Sequence, residues 1–200
     1  MRHIKKGAQP KDFSDWIELS NDNWQPGYDN LSGKVKKSVY QALLKEQGHL
    51  CCYCERELFS GDFHIEHLHP QSLHEESRID FGNFLVSCLD KTAKGDPLHC
   101  GKLKGDEEIS IHPLQIDCHS KFTFTASGEI HGTTEDAEGV VKILGLNIKK
   151  LIDMRAEAIS PFLDEKLDEE DFLLFVVGYL KLSDSGRLSP FHSMIKHIFQ

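Results

Sequence analysis

The chain has 200 residues, of which 39% are hydrophobic and 28% charged, with a formal net charge of −9. That suits one ordinary globular core, or a small catalytic core with a helical appendage, and no stretch nears the ~18 apolar residues that a membrane span needs. The acidic balance disfavours a protein that grips nucleic acid by its own surface charge, because phosphate contacts need Lys and Arg. Residues 61–120 carry five Lys/Arg against eleven Asp/Glu, so no basic domain exists, and any nucleic-acid substrate would be held by local lysines, a metal or a partner.

In chain order, the N-terminal MRHIKKGAQPKDF is basic but lacks the apolar run of a signal peptide, which predicts a cytoplasmic protein. KVKKSVYQALLKEQG at 34–48 puts Val35, Val39, Leu43 and Leu44 at helical spacing, with Gly48 as its stop. ELFSGDFHIEHLHP at 57–70 reads as a β-hairpin that turns at Ser60-Gly61-Asp62, its second strand running from Ile65 to Pro70. A polar loop covers 71–80, FGNFLVSC follows at 81–88, and LDKTAKGDPLHCG at 89–101 reads as a loop punctuated by Gly and Pro. KFTFTASGEI at 121–130 alternates into a second hairpin.

From about Glu138 the composition becomes helical. VVKILGLNIKKLIDMRAEAI sets Val141, Leu144, Ile148, Leu151, Ile152 and Ile159 on one face. The acidic run DEKLDEEDF at 164–172 reads as a solvated helix start, suited to the helix dipole. FLLFVVGYL at 172–180 reads as a buried helix, and SPFHSMIKHIF as a last helix capped by Ser189 with Pro190 in its first turn. The expected fold class is α+β. Its segments are residues 1–48, an N-terminal segment and helix; 49–135, the part that carries the chemistry; and 136–200, helical and open to partner docking.

Six cysteines stand at 51, 52, 54, 88, 100 and 118. In a reducing compartment close-spaced cysteines more often bind metal than pair. Cys51 and Cys54 have the C-x-x-C spacing that lets two thiolates reach one tetrahedral ion, and Cys88 and Cys100 can complete a four-thiolate zinc set. Cys52 is expected to be packed, and Cys118 to be a core thiol. Between the two cysteine pairs lies HIEHLHP at 64–70. Glu66 can bind a hard cation through oxygen, and His67 titrates near neutrality, as a general base must. The bland alternative is a half-exposed strand with polar residues on its wet face. Strict alternation would send Glu66 and His67 to opposite faces unless the strand ends there, as Pro70 suggests.

In order along the chain, Cys51 and Cys54, Ile65-Glu66-His67 with Pro70, Asn83, Cys88 and Cys100, then Lys104 resemble the HNH endonucleases. That resemblance implies a ββα-metal core with a structural Zn²⁺ on Cys51, Cys54, Cys88 and Cys100. It also implies a catalytic Mg²⁺ or Mn²⁺ on Glu66, His67 as general base, and Asn83 holding the loop over that base and orienting His67 through its carbonyl. Over nearly the whole chain, LCCYCE, HIEHLHPQS, HCGKLKG, DCHSKFTFTASGEI and LGLNIKKLIDMR look like the PtuB nuclease subunit of Septu systems and its retron-associated relatives. This implies a PtuA-type ATPase partner and, for retron versions, a reverse transcriptase and its DNA product.

One departure stands out: where the pattern has its last metal ligand, this chain has Gly101, which has no side chain to ligate with. His99 is the first substitute, Asp106 another, and His64 a third because it shares a strand face with Glu66. Lys102 and Lys104 are candidate phosphate contacts; His69 and His74 read as loop or surface residues. The expected activity is metal-dependent hydrolysis of phosphodiester bonds, in DNA before structured RNA, without membrane association. The alternative is a non-catalytic zinc-binding adaptor, for which Gly101 is the best argument. A small-substrate metallohydrolase would want a motif such as H-E-x-x-H, which is absent.

Overall fold

A computed structural model describes residues 1–89, 97–164 and 167–200. Most of the loop expected at 89–101, and Glu165 and Lys166 of the acidic run, lie outside the described residues. Eleven helices and strands follow one another among the described residues: α1 (Lys11–Ile17), α2 (Gly33–Gln47), β1 (Phe63–His67), β2 (Phe84–Cys88), α3 (Gly101–Lys104), β3 (Phe122–Phe124), β4 (Ile130–Gly132), α4 (Glu135–Ile143), α5 (Lys149–Ile159), α6 (Glu169–Leu180) and α7 (His192–Phe199). No helix among them is long and apolar enough to cross a membrane.

Helix α2 buries Val39, Leu43 and Gln47, spaced four apart, and Gly48 ends it at φ 61, a left-handed conformation that costs glycine nothing. Its last side chain sets the geometry that follows. Gln47 donates from Nε2 to the carbonyls of Leu50 and Val86, each at 2.8 Å, and its Oε1 accepts from Val86 N at 2.7 Å. One buried amide thus joins the helix end, the start of the cysteine segment and strand β2.

β1 and β2 form a two-stranded antiparallel sheet in the register His64↔Ser87, Glu66↔Leu85 and His67↔Phe84. This corrects the first expected hairpin. Residues 57–60 are not a strand; they reach back only through the isolated Leu50↔Glu57 bridge, and the partner of 63–67 comes instead from FGNFLVSC. All five residues of β2 are buried, beneath α2 and beside Phe13 of α1, whose ring lies 6.0 Å from that of Phe84. The second expected hairpin forms as β3–β4.

The long amphipathic stretch from Val140 breaks into α4 and α5 at Gly145, whose φ of 57 favours glycine and where a Cβ would press on Leu103. The buried Arg155 of α5 closes this corner by donating to the carbonyl of Leu146 at 2.7 Å and to that of Gly128 at 2.5 Å. One apolar cluster runs from Met1 to Leu151; a second gathers Ile159, Phe162, Val176, Phe191, Met194 and Ile195. The FLLFVVGYL helix is not buried as expected: in α6 only Val176 is buried, while Leu173, Leu174 and Val177 face outward. The last helix starts at His192, with Phe191 and not Ser189 in the cap position.

Candidate active site and metal centre

The cysteine segment 51–54 leaves α2 in a tight turn. Cys51 N–H bonds the Arg56 carbonyl at 2.9 Å, Glu55 N–H bonds the Cys51 carbonyl at 3.1 Å, and Cys52 N–H bonds the Val86 carbonyl at 3.1 Å. These bonds turn Cys51 and Cys54 toward Cys88 at the end of β2. Cys100 arrives from the other side, its N–H on the Leu144 carbonyl at 2.8 Å. One sulfur from each of the four buried residues lies within 4.8 Å of the others, and Cys54 Sγ stands 3.9 Å from Cys88 Sγ. Sulfurs around one ion at ~2.3 Å bonds would sit about 3.8 Å apart, so the cluster fits a tetrahedral metal with little adjustment. Within the set, hydrogen bonding with Cys100 pulls the Cys88 thiol down to about 7, while burial pushes the Cys54 and Cys100 thiols up. Cys52 and Cys118 are buried outside this set.

The polar group lies on the same hairpin. Glu66 is only 5% exposed. Its Oε1 accepts from Tyr53 OH at 3.0 Å and lies 3.2 Å from the ammonium of Lys104; its Oε2 lies 3.2 Å from His64 Nε2. Alternation along β1 sends His67 elsewhere. Its ring sits edge-on to Tyr28 and Phe84, with centroids 4.5 and 4.9 Å away. His67 Nε2 is 3.1 Å from the carbonyl oxygen of Arg78. A carbonyl only accepts, so Nε2 carries the proton and the neutral ring keeps its lone pair on Nδ1. Burial lowers the His67 pKa below its ordinary 6.5, against the opposing pull of the Arg78 carbonyl. The ring is therefore neutral and basic at pH 7.

Asn83 fixes the loop that supplies that carbonyl. Its Oδ1 accepts from His69 N–H at 2.7 Å, and its Nδ2 donates to the carbonyls of His69 and Ser77 at 3.0 and 3.2 Å. Its own main-chain carbonyl bonds Leu68 N–H at 3.0 Å, and Arg78 is what touches the His67 ring.

Two expectations are corrected. Lys104 does not face phosphate: it is 1% exposed, its Nζ taken by Glu66 and, at 3.1 Å, by the His67 carbonyl. His99 completes no ligand group with Glu66 and His64 among the described residues: its Nδ1 lies 3.1 Å from Cys100 Sγ and 3.7 Å from Cys88 Sγ, beside the thiol cluster. His64 does meet Glu66, and Lys102 is exposed. Gly101 lies against this pair. Its N–H bonds Ser87 Oγ at 3.1 Å, and a Cβ there would overlap Glu66 Oε2 and come within 3.0 Å of His64 Nε2. The carboxylate fills the space that a side chain at 101 would need. Sequence reasoning missed Tyr53 and Arg78. Tyr53 hides between two cysteines, and Arg78 acts through its carbonyl, which no residue type advertises.

The mixed helix–strand architecture with its buried four-cysteine cluster is consistent with the zinc-containing fold of an HNH nuclease. No family model matches the chain. Over 100 residues it is 32% identical to the "Retron Vc95 putative HNH endonuclease" of Vibrio cholerae serotype O1 biovar El Tor, an alignment that covers 48% of each chain. That similarity supports an HNH endonuclease family. The chain thus spans about half the length of the curated relative it matches.

Proposed function

We propose that this chain is a metal-dependent HNH endonuclease that hydrolyses phosphodiester bonds, with β1, β2 and α3 as its ββα core. The observation that carries the reading is the bond between His67 and the Arg78 carbonyl, which leaves Nδ1 of a neutral imidazole free to take a proton. A polar strand without chemistry has no use for a buried histidine with a fixed tautomer and a lowered pKa. In this reading His67 Nδ1 removes the proton from the attacking water, and Asn83 keeps Arg78 in register above it.

A divalent ion would be held by Glu66 Oε2 and His64 Nε2. The pair fits it: one oxygen and one nitrogen converge at 3.2 Å, and the other nitrogen of His64 is buried with no hydrogen-bond partner. Mg²⁺ or Mn²⁺ bound there would supply charge stabilisation for the phosphorane-like transition state and the leaving oxygen. Tyr53 and Lys104 orient the carboxylate from behind, as the partners of metal ligands do. Zn²⁺ on Cys51, Cys54, Cys88 and Cys100 would be structural.

The protein's net charge of −9 favours a partner that contributes the nucleic-acid grip. We assign that part to a PtuA-type ATPase of an anti-phage system, with α6 as a docking face because Leu173, Leu174 and Val177 lie open on it. The retron in the relative's name extends this to a reverse transcriptase and its DNA product, and to DNA as the substrate ahead of structured RNA. The non-catalytic adaptor remains the second reading, favoured by Gly101.

The deciding experiment is cleavage of plasmid DNA and of total RNA with Mg²⁺ or Mn²⁺, by wild type and His67→Ala, each alone and with the ATPase. Cleavage by wild type only is the expected outcome, and the substrate cut names the class. No cleavage in any mixture, from a chain that retains its zinc, would establish the adaptor.

A further inference from the structure

Outside the catalytic group, a second set of metal-capable side chains comes together at the surface. His69 follows β1, His74 lies in the loop beyond it, and Glu108 lies in the segment after α3. One ligand atom from each is within 4.8 Å of the others. The His69 and His74 rings are 5.1 Å apart between centroids, and His74 Nε2 is 2.6 Å from Glu108 Oε1. A cavity of about 350 Å³ opens beside them, lined by Leu68, His69, Glu108, Ile109, Ser110 and His112. His112 brings a further imidazole to this cavity, 6.5 Å from His69 between ring centroids, and its Nδ1 is buried without a hydrogen-bond partner.

We propose that His69, His74 and Glu108 form a binding site for a transition-metal divalent ion, separate from both the thiol cluster and the Glu66–His64 pair. Two imidazoles and one carboxylate are a ligand set for Zn²⁺, Ni²⁺ or Co²⁺, and the cavity leaves a coordination position open. With two nitrogens to one oxygen, the set favours these ions over Mg²⁺, which prefers mainly oxygen ligands. Glu76, whose Oε1 lies 3.6 Å from His74 Nδ1, adds negative charge nearby. The ion would tie the first and middle parts of the 68–78 loop to the segment after α3. That same loop presents Ser77 to Asn83 and the Arg78 carbonyl to His67. The bound ion therefore acts as a clamp on the loop above His67, and its presence does not depend on whether His67 catalyses anything.

The competing account is an ordinary surface pair of His74 with Glu108, which holds no ion. The experiment is isothermal titration of the full chain, already loaded with one zinc on its cysteines, with Zn²⁺ and separately with Ni²⁺. Hydrogen exchange of residues 70–80 is followed with and without the ion. We expect, beyond any ion at Glu66 and His64, one further ion per wild-type chain, binding weakened about tenfold or more in His74→Ala and in Glu108→Gln, and slower loop exchange in wild type only. No such further ion, or equal affinity in wild type, His74→Ala and Glu108→Gln, overturns the site. An ion that binds with the expected variant pattern yet leaves loop exchange unchanged overturns the clamp.

Discussion

Two neighbouring groups carried by the β1–β2 hairpin make a controlled comparison. Around Cys88, four buried thiols gather within 4.8 Å of one another. Beside them, the Glu66 carboxylate and the His64 imidazole converge at 3.2 Å, and the third side is a glycine. Structural metal sites are closed, and catalytic ones keep a position open. On the proposed reading, the hairpin therefore carries one site that only stabilises and one that exchanges ligands. Gly101, which counts against catalysis when read as a missing ligand, is also what leaves room for the Glu66 carboxylate.

The comparison breaks most visibly at the thiol cluster. Cys54→Ser should release the metal, and because structural zinc contributes on the order of 10 kcal/mol to small sites, the hairpin should lose cooperative folding. Metal content and thermal melting check this, and an unchanged melting curve in strong chelator would mean that no ion is held there. For the proposed general base, His67→Ala should keep its fold and zinc while cleavage falls by about 10²–10⁴-fold; residual full activity would remove His67 from the chemistry. Lys104→Met leaves the buried Glu66 carboxylate without its cation and should cost about 3–5 kcal/mol in urea unfolding. Most of that loss should be recovered by adding Glu66→Gln, and a double-mutant cycle with no coupling would sever the pair.

Asn83→Ala removes three bonds from the loop and should cost about 1–3 kcal/mol, with faster hydrogen exchange confined to residues 69–78. The smallest effect concerns pH. The folded His67 pKa lies below 6.5 because of burial, so its basic form persists on acidification and is lost only as pH falls through that lowered value. The acid limb of kcat/KM should therefore lie below 6.5. Tyr28→Ala, by opening the ring to water, should move that limb upward, and a limb that stays in place would assign it to another group.

Much of the scaffold was legible because its causes are local. The α2 stripe, the stop at Gly48 and the β3–β4 turn each depend on residues a few positions apart. The first hairpin was misread for the complementary reason. Ser60-Gly61-Asp62 has the composition of a turn, but the real partner of 63–67 lies beyond a loop of 16 residues, and pairing at that distance is chosen by which strand can be buried. FLVSC at 84–88 is buried throughout, whereas 57–60 is not. Likewise α6 reads as buried from hydrophobicity alone, yet nothing in the described chain covers its outer face.

The site divides along the same line. By itself the sequence determined which residues have chemistry to offer: the four cysteines by their spacing, Glu66 and His67 by their residue types, Asn83 by its place in an ordered motif. Only the tertiary structure decided how each is used. It put His99 beside the thiols and buried Lys104 against Glu66, gave the His67 tautomer to the Arg78 carbonyl, and drew His69 and His74 to Glu108. The physical reason is that reactivity depends on residue type, whereas burial and charge pairing depend on neighbours that lie far away along the chain, and on those the order of letters is silent.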